Sequence, residues 1–565
     1  MKPLYLQGCC LLVGLLCVSL SFGQGRSSGQ TQLRPVTETV AITGATVVIA
    51  PGNVLEAGTV LIKDGLIQAV GKNVSIPGEA RVVKADSMYV YAGFIDGLSH
   101  IGVPKPKAEE NGNRRRGRSR SDSANPPNED AGIQPERSVE EVLDPTDKSV
   151  KDFRSAGFTA AMVAPRGNML PGTGSVVVLN GKQAADMILR EDKAMFAQLK
   201  GASGVYPNTV IGVMAKFREL YRQATYASQH EQAYQADPVG KKRPAFDQAT
   251  QAMYPVTAGE QPVIFLAPNA VDVYRSLQLQ KDLDFPLMLG NVKQGTEVME
   301  KLATAQVPVF LTLDLPKKAK EAKGKKKEEV SEEKKALEAR KAEAYKTACS
   351  QAAKFAEAGM PFGFSTAGVG AKNVRANLRT MIEHGLTEDQ ALAALTTQPA
   401  ELLGLAPMMG TVESGKMANL VISDQSFFAE KANVRYVMVE GELFEMPKPK
   451  AKKKGDASVK VQAAGAWSYT VETPQGSSGG TIVIKGSPDD LTGTLTNEMG
   501  EEEIELSGVE LNGNELSFSF NFDAGGEMLN IQATGIIDGS SMEGNMSLGA
   551  FGDAPFEAER TGDPE

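Results

Sequence analysis

Apolar runs alternate with amphipathic stretches along the central part of the chain, residues 91–404. The amphipathic stretches, such as SVKDFRSA and AVDVYRSLQLQKDL, repeat apolar positions every three or four residues, which indicates helices. Buried strands between such helices are typical of a parallel α/β fold, and about eight runs favour a closed (β/α)8 barrel, TIM-like, over an open sheet. The predicted barrel strands are YVYAGFID, GFTAAMVAP, SVVVLNG, NTVIGVM, QPVIFLA, FPLMLGN, VPVFLTLD and MPFGFSTAG.

Two polar segments interrupt the barrel pattern. Residues 104–131 lack apolar content and predict a disordered insert. Its RRRGRSRS run is interpreted as solvated, with polyanion binding as the alternative. Residues 317–344 are dense in Lys, Glu and Ala with opposite charges four positions apart, which predicts an exposed, charged helix.

Short β-branched runs punctuated by Gly, Asp and Pro flank the barrel pattern on both sides. They occupy residues 36–90 and 405–446, and they predict a small β domain made from both chain ends of the barrel region. A basic Pro/Lys linker follows at residues 447–457.

The C-terminal residues 458–565 contain short strand-like runs and no helical pattern. Turn signals such as the Asn-Gly pair at 512–513 and the Asp-Gly pair at 538–539 separate them. A spacing of about ten residues predicts an antiparallel all-β domain, either a barrel or a sandwich. The single Trp467 is interpreted as a core anchor, with a sugar-stacking platform as the alternative.

The N-terminus has the pattern of a secretory signal peptide. Lys2 precedes an apolar core at residues 11–20, and small residues lead to predicted cleavage near Gly23. The sequence therefore predicts a signal peptide over 1–23, a disordered segment over 24–35, and export to the periplasm or the extracellular fluid. Lipoprotein processing is the weaker alternative.

Composition narrows the function classes. The formal net charge of -9 lacks the basic surplus that a nucleic-acid-binding protein uses to neutralise phosphates. The mature chain contains no apolar run of the ~20 residues that span a bilayer. Of the four cysteines, Cys349 alone follows the signal peptide, and its helical context predicts a buried residue rather than a nucleophile.

Two segments resemble the amidohydrolase superfamily, in the branch with imidazolonepropionase-like and dipeptidase-like members. YAGFIDGLSH at Tyr91–His100 is similar to the phrase P-G-F-I-D-x-H-x-H that ends the family's first barrel strand. Residues Gly385–Asp424, from GLTEDQALAALTTQPAELLGL to MANLVISD, look like the last barrel helix and the return to the small β domain. The resemblance covers roughly residues 36–446, and it leaves the C-terminal β domain unassigned.

The resemblance implies hydrolysis of carbon–nitrogen bonds in amides or cyclic amides. In that family one or two divalent metals lower the pKa of a bound water and polarise the carbonyl. The usual ligands are two His from H-x-H on strand one, one His each from strands five and six, and an Asp on strand eight. In this sequence the H-x-H positions fall on Leu98 and His100, and the strand-five position falls on Leu266. The Asp position falls on Ala367, or on Thr366 if the register of strand eight slips by one. The strand-six candidate, FPLMLGN, offers no ligand side chain stronger than Asn291.

The histidine count leads to the same result without any alignment. The whole chain has three histidines, His100, His230 and His384, whereas the usual site needs four. None lies between residues 231 and 383, which must contain strands five and six. His230 is expected on the surface and His384 at a helix end. We therefore expect no standard metal centre and no cofactor.

A non-standard site is the alternative. Asp96 and His100 flank the end of strand one, and Asp314 ends the LTLD run at the same predicted rim. A carboxylate, imidazole and carboxylate can bind a single divalent cation weakly or act as general acid and base without metal. The sequence also leaves open that Asp96 is structural.

Three functional hypotheses follow. The first is a catalytically inactive or strongly altered member of the family, a pseudoenzyme, that binds a small amide or peptide ligand in the barrel mouth or partners an active relative. The second is an active hydrolase that uses Asp96, His100 and Asp314. The third is an envelope protein that binds through its C-terminal β domain.

Overall fold

The computed structural model describes residues 39–105, 122–316, 332–446, 455–456 and 458–562, apart from short gaps at 474–475, 489, 498–502, 524–527 and 548–552. The predicted signal peptide and the segment 24–35 lie outside the described residues, as do most of the polar insert, the first half of the predicted charged helix and most of the basic linker. The chain divides into two compact units, Met1–Lys448 and Pro449–Glu565.

The first strands of the chain form one part of a small β domain. Its apolar side chains, including Val40, Ile42 and Val60, are fully or almost fully buried in a core of their own. Asp64 and Gly65 both have positive φ and make the tight turn between the second and third strands, as Asp-Gly pairs do in hairpins. The strands are β1 (Val40–Ala50), β2 (Asn53–Lys63), β3 (Leu66–Gly71), β4 (Arg81–Lys84) and β5 (Tyr89–Ala92).

Eight strands then form the barrel in sequential order, and the last strand lies beside the first. All neighbouring pairs are parallel except those of the third strand, which runs antiparallel to both neighbours. The strands are β6 (Phe94–Ser99), β7 (Phe158–Val163), β8 (Gly172–Val178), β9 (Ile188–Gln198), β10 (Val263–Leu266), β11 (Leu287–Val292), β12 (Val309–Thr312) and β13 (Gly363–Ser365).

Two of the predicted barrel strands differ from the structure. The run SVVVLNG forms β8, but the loop 164–171 before it is too short for the crossover of about a dozen residues that a parallel neighbour needs. NTVIGVM is wrong as a strand, because these residues begin a long helix, whose first turn is capped by Thr209 Oγ1 accepting from Gly212 N. The fourth strand is β9, whose first half is largely polar and is exposed at residues 190–192.

Helices surround the barrel and bury their apolar sides against its outer face. The pattern AVDVYRSLQLQKDL corresponds to one complete helix, which starts at the Asn269 cap and ends at Asp284 in the left-handed conformation. The helices are α1 (Asn128–Ala131), α2 (Lys148–Ser155), α3 (Ala184–Met187), α4 (Val210–Ala236), α5 (Gln248–Ala252), α6 (Tyr254–Thr257), α7 (Ala270–Leu283), α8 (Met299–Ala305), α9 (Glu332–Glu357), α10 (Ala371–Glu383), α11 (Glu388–Leu395) and α12 (Thr397–Leu402), with 3-10 turns at Val139–Val142 and Gly295–Val298.

The two polar inserts are described in part. Residues 122–131 include α1 and bury Ala131, so the prediction of disorder is wrong for this end of the insert. Residues 332–344 form the exposed first half of α9. Farther along α9, Cys349 is buried, as predicted.

The chain returns after the barrel to complete the small β domain, which confirms its composite architecture. β14 (Leu420–Ser423) pairs with β5, and β15 (Val434–Val439) and β16 (Glu442–Glu445) extend the sheet beyond it. The sheet order is β16-β15-β14-β5-β1-β2-β3, with β4 beside β1.

The C-terminal unit is an antiparallel all-β domain, as the turn spacing predicts. Trp467 is fully buried in its core and donates from Nε1 to Ala463 O at 3.0 Å, while the Arg560 guanidinium lies 4.3 Å above the indole ring. The sheet order is β20-β19-β18-β17-β25-β24-β23-β22-β21. The strands are β17 (Gly465–Thr473), β18 (Gly476–Ser487), β19 (Asp490–Asn497), β20 (Ile504–Glu505), β21 (Ser507–Asn512), β22 (Glu515–Asp523), β23 (Met528–Asp538), β24 (Ser541–Ser547) and β25 (Asp553–Gly562).

Across the described part of the chain, no helix has both the length and the apolar content to cross a membrane.

Candidate functional site

The C-terminal ends of the parallel barrel strands meet at one end of the barrel, here called the mouth, where this fold places its functional sites. His100 follows β6, Asn291 lies near the end of β11, Asp314 follows β12, and Ala367 follows β13. The sequence-predicted candidates therefore lie at or near the same end of the barrel.

Leu98 occupies the centre of the barrel rather than its solvent-facing rim. Its side chain is fully buried, and a Cβ added at Gly290 on β11 would overlap the Leu98 Cδ2. The absence of a side chain at Gly290 thus provides the space that Leu98 fills. Leu98 belongs to an apolar cluster inside the barrel that also contains Ile95, Met162, Phe196, Ile264, Met288 and Phe310.

The other two expected ligand positions with apolar side chains are those of Leu266 and Ala367. Leu266, at the end of the fifth strand, packs against the same interior cluster, and Ala367 after the eighth strand is buried. Leucine and alanine side chains have no atom that binds a cation, and imidazole and carboxylate are what such a metal requires. The residues present therefore do not fit the metal centre that the family resemblance implies.

His100 projects into the barrel with a fixed orientation. Its Nδ1 lies 2.7 Å from Ala164 O, and its ring packs edge-on against Phe196 with centroids 5.8 Å apart. Because a carbonyl oxygen only accepts, Nδ1 carries the proton and Nε2 is left as the acceptor. Burial lowers the pKa of His100 to about 4, helped by the nearby Arg166, so the ring is neutral at pH 7.

Asp96 is fully buried at the seam between the first and last barrel strands. Its carboxylate accepts from the Thr366 hydroxyl, from Thr366 N at 3.1 Å and from Leu98 N at 3.2 Å. Ser365 Oγ adds a bond to Leu98 O across the same seam, at 2.7 Å. Burial raises the pKa of Asp96 to about 7, and these hydrogen bonds limit the rise. These contacts give Asp96 a structural role in closing the barrel.

Asp314 lies at the rim, where it forms an ion pair that the sequence did not reveal. Lys293 Nζ, one residue past β11, lies 2.6 Å from Asp314 Oδ2, and both side chains are more than a third exposed. Sequence spacing gives no signal for this pair, because the two residues come from neighbouring strands and meet only when the barrel forms.

The three candidates thus have different partners: Thr366 for Asp96, Ala164 for His100 and Lys293 for Asp314. Within the described residues, no group of three or more His, Cys, Asp or Glu side chains is placed to hold a metal ion. The remaining histidines lie elsewhere: His230 is exposed on α4, and His384 follows α10 with Nδ1 2.7 Å from Thr380 O.

Comparisons with known proteins agree with the barrel and its last segment. Residues 295–444 match the sequence model of the amidohydrolase family. An amidohydrolase from Thermotoga maritima MSB8 is similar in structure, with a TM-score of 0.57 and 20% identity over 72% of this chain and 100% of that one. No curated protein matches the sequence. The family match covers residues 295–444, and the structural likeness at this identity shows the fold alone.

A putative prolidase from Bifidobacterium longum also matches, with a TM-score of 0.42 and 15% identity over 74% of this chain and 97% of that one.

Proposed function

We propose that the chain is an exported amidohydrolase-superfamily protein that does not hydrolyse amides by the family's metal-dependent route and that binds a small ligand in its barrel mouth. The observation that carries the proposal is the packing of Leu98 against Gly290, in the place where the resemblance puts the first metal-binding histidine. Three of the expected ligand positions hold apolar side chains, those of Leu98, Leu266 and Ala367.

The rest of the mouth supports binding rather than metal-dependent hydrolysis. His100 is held in one tautomer and orientation, and the ion pair of Lys293 and Asp314 lies at the rim. Polar groups fixed above an apolar floor are the usual composition of a small-molecule site. Such a protein acts by itself as a binding protein, or together with an active relative.

The alternative of a hydrolase that uses Asp96, His100 and Asp314 has less support. The Asp96 carboxylate accepts hydrogen bonds from Thr366 and from Leu98 N at the seam of the barrel, and the side chain is fully buried. Residues 458–565 offer a third location for binding, and deletion of that domain separates such a role from one in the barrel.

Elemental analysis of the purified chain from residue 24 onward tests the proposal directly. We expect far less than one zinc, manganese, iron or nickel ion per chain, unchanged by chelator or by added zinc. About one tightly held metal per chain, lost in His100→Ala and kept in the matched surface variant His230→Ala, would overturn it. Export rests on residues 1–23, and the location of the full-length chain compared with a chain lacking them tests that part.

A further inference from the structure

Asn291 occupies an irregular position at the mouth end of the sixth barrel strand. Leu289 pairs with Val309 but Val292 pairs with Leu311, so β11 has one extra residue relative to β12. Asn291 lies within this bulge with a φ of 57°, a conformation that non-glycine residues adopt infrequently. Bulges are common beside functional sites, where they re-aim a side chain.

The Asn291 side chain has an unmet hydrogen-bonding requirement. The residue is 8% exposed, and among the described residues its Oδ1 has no hydrogen-bond partner. A buried polar atom without a partner costs free energy, so an orphan of this kind needs a physical reason. A ligand that donates to Oδ1 supplies one.

Asn291 and His100 both lie on the mouth side of the contact between Leu98 and Gly290. Asn291 directly follows Gly290 on β11, and His100 lies two residues beyond Leu98 after β6. Both strands run towards the mouth, so the two polar residues lie above the point where Leu98 and Gly290 touch. His100 Nε2 is an acceptor, because Nδ1 donates to Ala164 O.

The charged groups around these two acceptors already have partners. Lys293 pairs with Asp314 at 2.6 Å, and Arg166 Nε donates to Val103 O at 3.0 Å with Asp147 near it. With these partners, Lys293, Asp314 and Arg166 do not need a charged group of a ligand to neutralise them. The unmet requirement is for hydrogen-bond donors that carry no charge.

We infer that Asn291 and His100 form a binding site for an uncharged group with hydrogen-bond donors, an NH2 or an OH, which bonds to Asn291 Oδ1 and His100 Nε2. The inference rests on the proposed binding function and assigns its ligand chemistry. The buried Leu98 lies beneath that group.

Side-chain ¹⁵N NMR of histidine-labelled protein tests the site, because the chain has three histidines and two of them are internal controls. The probes are acetamide, which has an NH2 group, and N,N-dimethylacetamide, which keeps the carbonyl and lacks N–H donors. The matched variant is Asn291→Gly, because glycine adopts a positive φ without strain and removes only the amide. The His230 and His384 signals report whether the variant is folded.

We expect acetamide to shift the His100 Nε2 signal in a saturable way, dimethylacetamide to leave it unchanged, and Asn291→Gly to weaken acetamide binding at least about fivefold, or ~1 kcal/mol. Equal shifts from both probes, no shift from either, or wild-type affinity in Asn291→Gly would overturn the inference while leaving the proposed function intact. Release of acetate from acetamide would overturn the proposed function, and the inference with it.

Discussion

The Leu98 side chain fills the space that Gly290 leaves on the opposite side of the barrel, and a methyl group on Gly290 would overlap the Leu98 Cδ2. This complementarity between a large and a small residue links strands one and six through the barrel interior. Close packing of this kind leaves little room for substitution. It predicts an energetic coupling between the two positions.

Leu98→Ala is expected to lower the free energy of unfolding by about 2–5 kcal/mol, because it leaves a cavity in a fully buried apolar cluster. Gly290→Ala alone should cost about 1–3 kcal/mol through overpacking. In the double variant the added methyl group enters the space that Leu98 vacates, so the combined cost should be clearly smaller than the sum. Urea unfolding of the four proteins measures the coupling, and strict additivity would contradict the contact.

The seam between β6 and β13 depends on Thr366. Thr366→Val removes the hydroxyl that donates to the buried Asp96 carboxylate and should cost about 1–3 kcal/mol, because a buried acceptor loses its partner. Thr304→Val is the matched control, since the Thr304 hydroxyl bonds Glu300 O on an exposed helix. Denaturant unfolding compares them, and equal effects of the two changes would argue against a structural role for Asp96.

Asp96 and His100 predict opposite contributions to the pH dependence of stability. The folded pKa of Asp96, about 7, lies above its ordinary 3.8, so the folded state holds more protons and stability from this group falls as pH rises from about 4 to 7. The folded pKa of His100, about 4, lies below its ordinary 6.5, so stability from His100 falls as pH drops from about 6.5 to 4.

Single substitutions separate these two contributions. His100→Asn removes the loss of stability that protonation of His100 causes on acidification and keeps the Asp96 contribution. Acidification from pH 7 to 5 should therefore stabilise this variant relative to wild type. In Asp96→Asn the same acidification should destabilise it relative to wild type. Unfolding midpoints at several pH values check both signs, and parallel pH profiles for the three proteins would show that these groups do not titrate as the structure implies.

The ion pair at the rim should contribute little to stability. Lys293 and Asp314 are 40% and 36% exposed, and exposed pairs are worth about 0–1 kcal/mol because water and salt screen them. Lys293→Ala should therefore change the free energy of unfolding by less than about 1 kcal/mol. A larger loss, measured in urea, would indicate that Lys293 has a further buried partner.

The only tryptophan of the chain gives an optical probe of the C-terminal domain. Trp467 is buried there beneath Arg560, so intrinsic tryptophan fluorescence should report the unfolding of that domain. Arg560→Ala should lower the midpoint of the fluorescence transition and leave the helical circular dichroism transition, which reports the barrel, unchanged. A shift of both transitions by the same amount would contradict this assignment.

The sequence by itself determined much of the architecture. The apolar periodicity of AVDVYRSLQLQKDL predicted the helix that the structure shows as α7. The turn signals and strand-like runs of residues 458–565 predicted the antiparallel C-terminal domain. The histidine count is a property of composition, so the mismatch with a four-histidine metal centre required no coordinates. Helix periodicity and turn residues depend on interactions between residues close in sequence, and the number of histidines depends on composition alone, so the sequence is enough to identify them.

Tertiary structure alone decided the direction of β8, the helix at NTVIGVM and the partners of the candidate residues. The apolar run of β8 specifies that the strand is buried but not the direction in which it runs. The strand β9 forms despite its polar first half because β8 and β10 pair with it. The contacts of Leu98 with Gly290, Asp96 with Thr366 and Lys293 with Asp314 join residues distant in sequence. Such pairs form only when the barrel closes, so no local pattern reveals them.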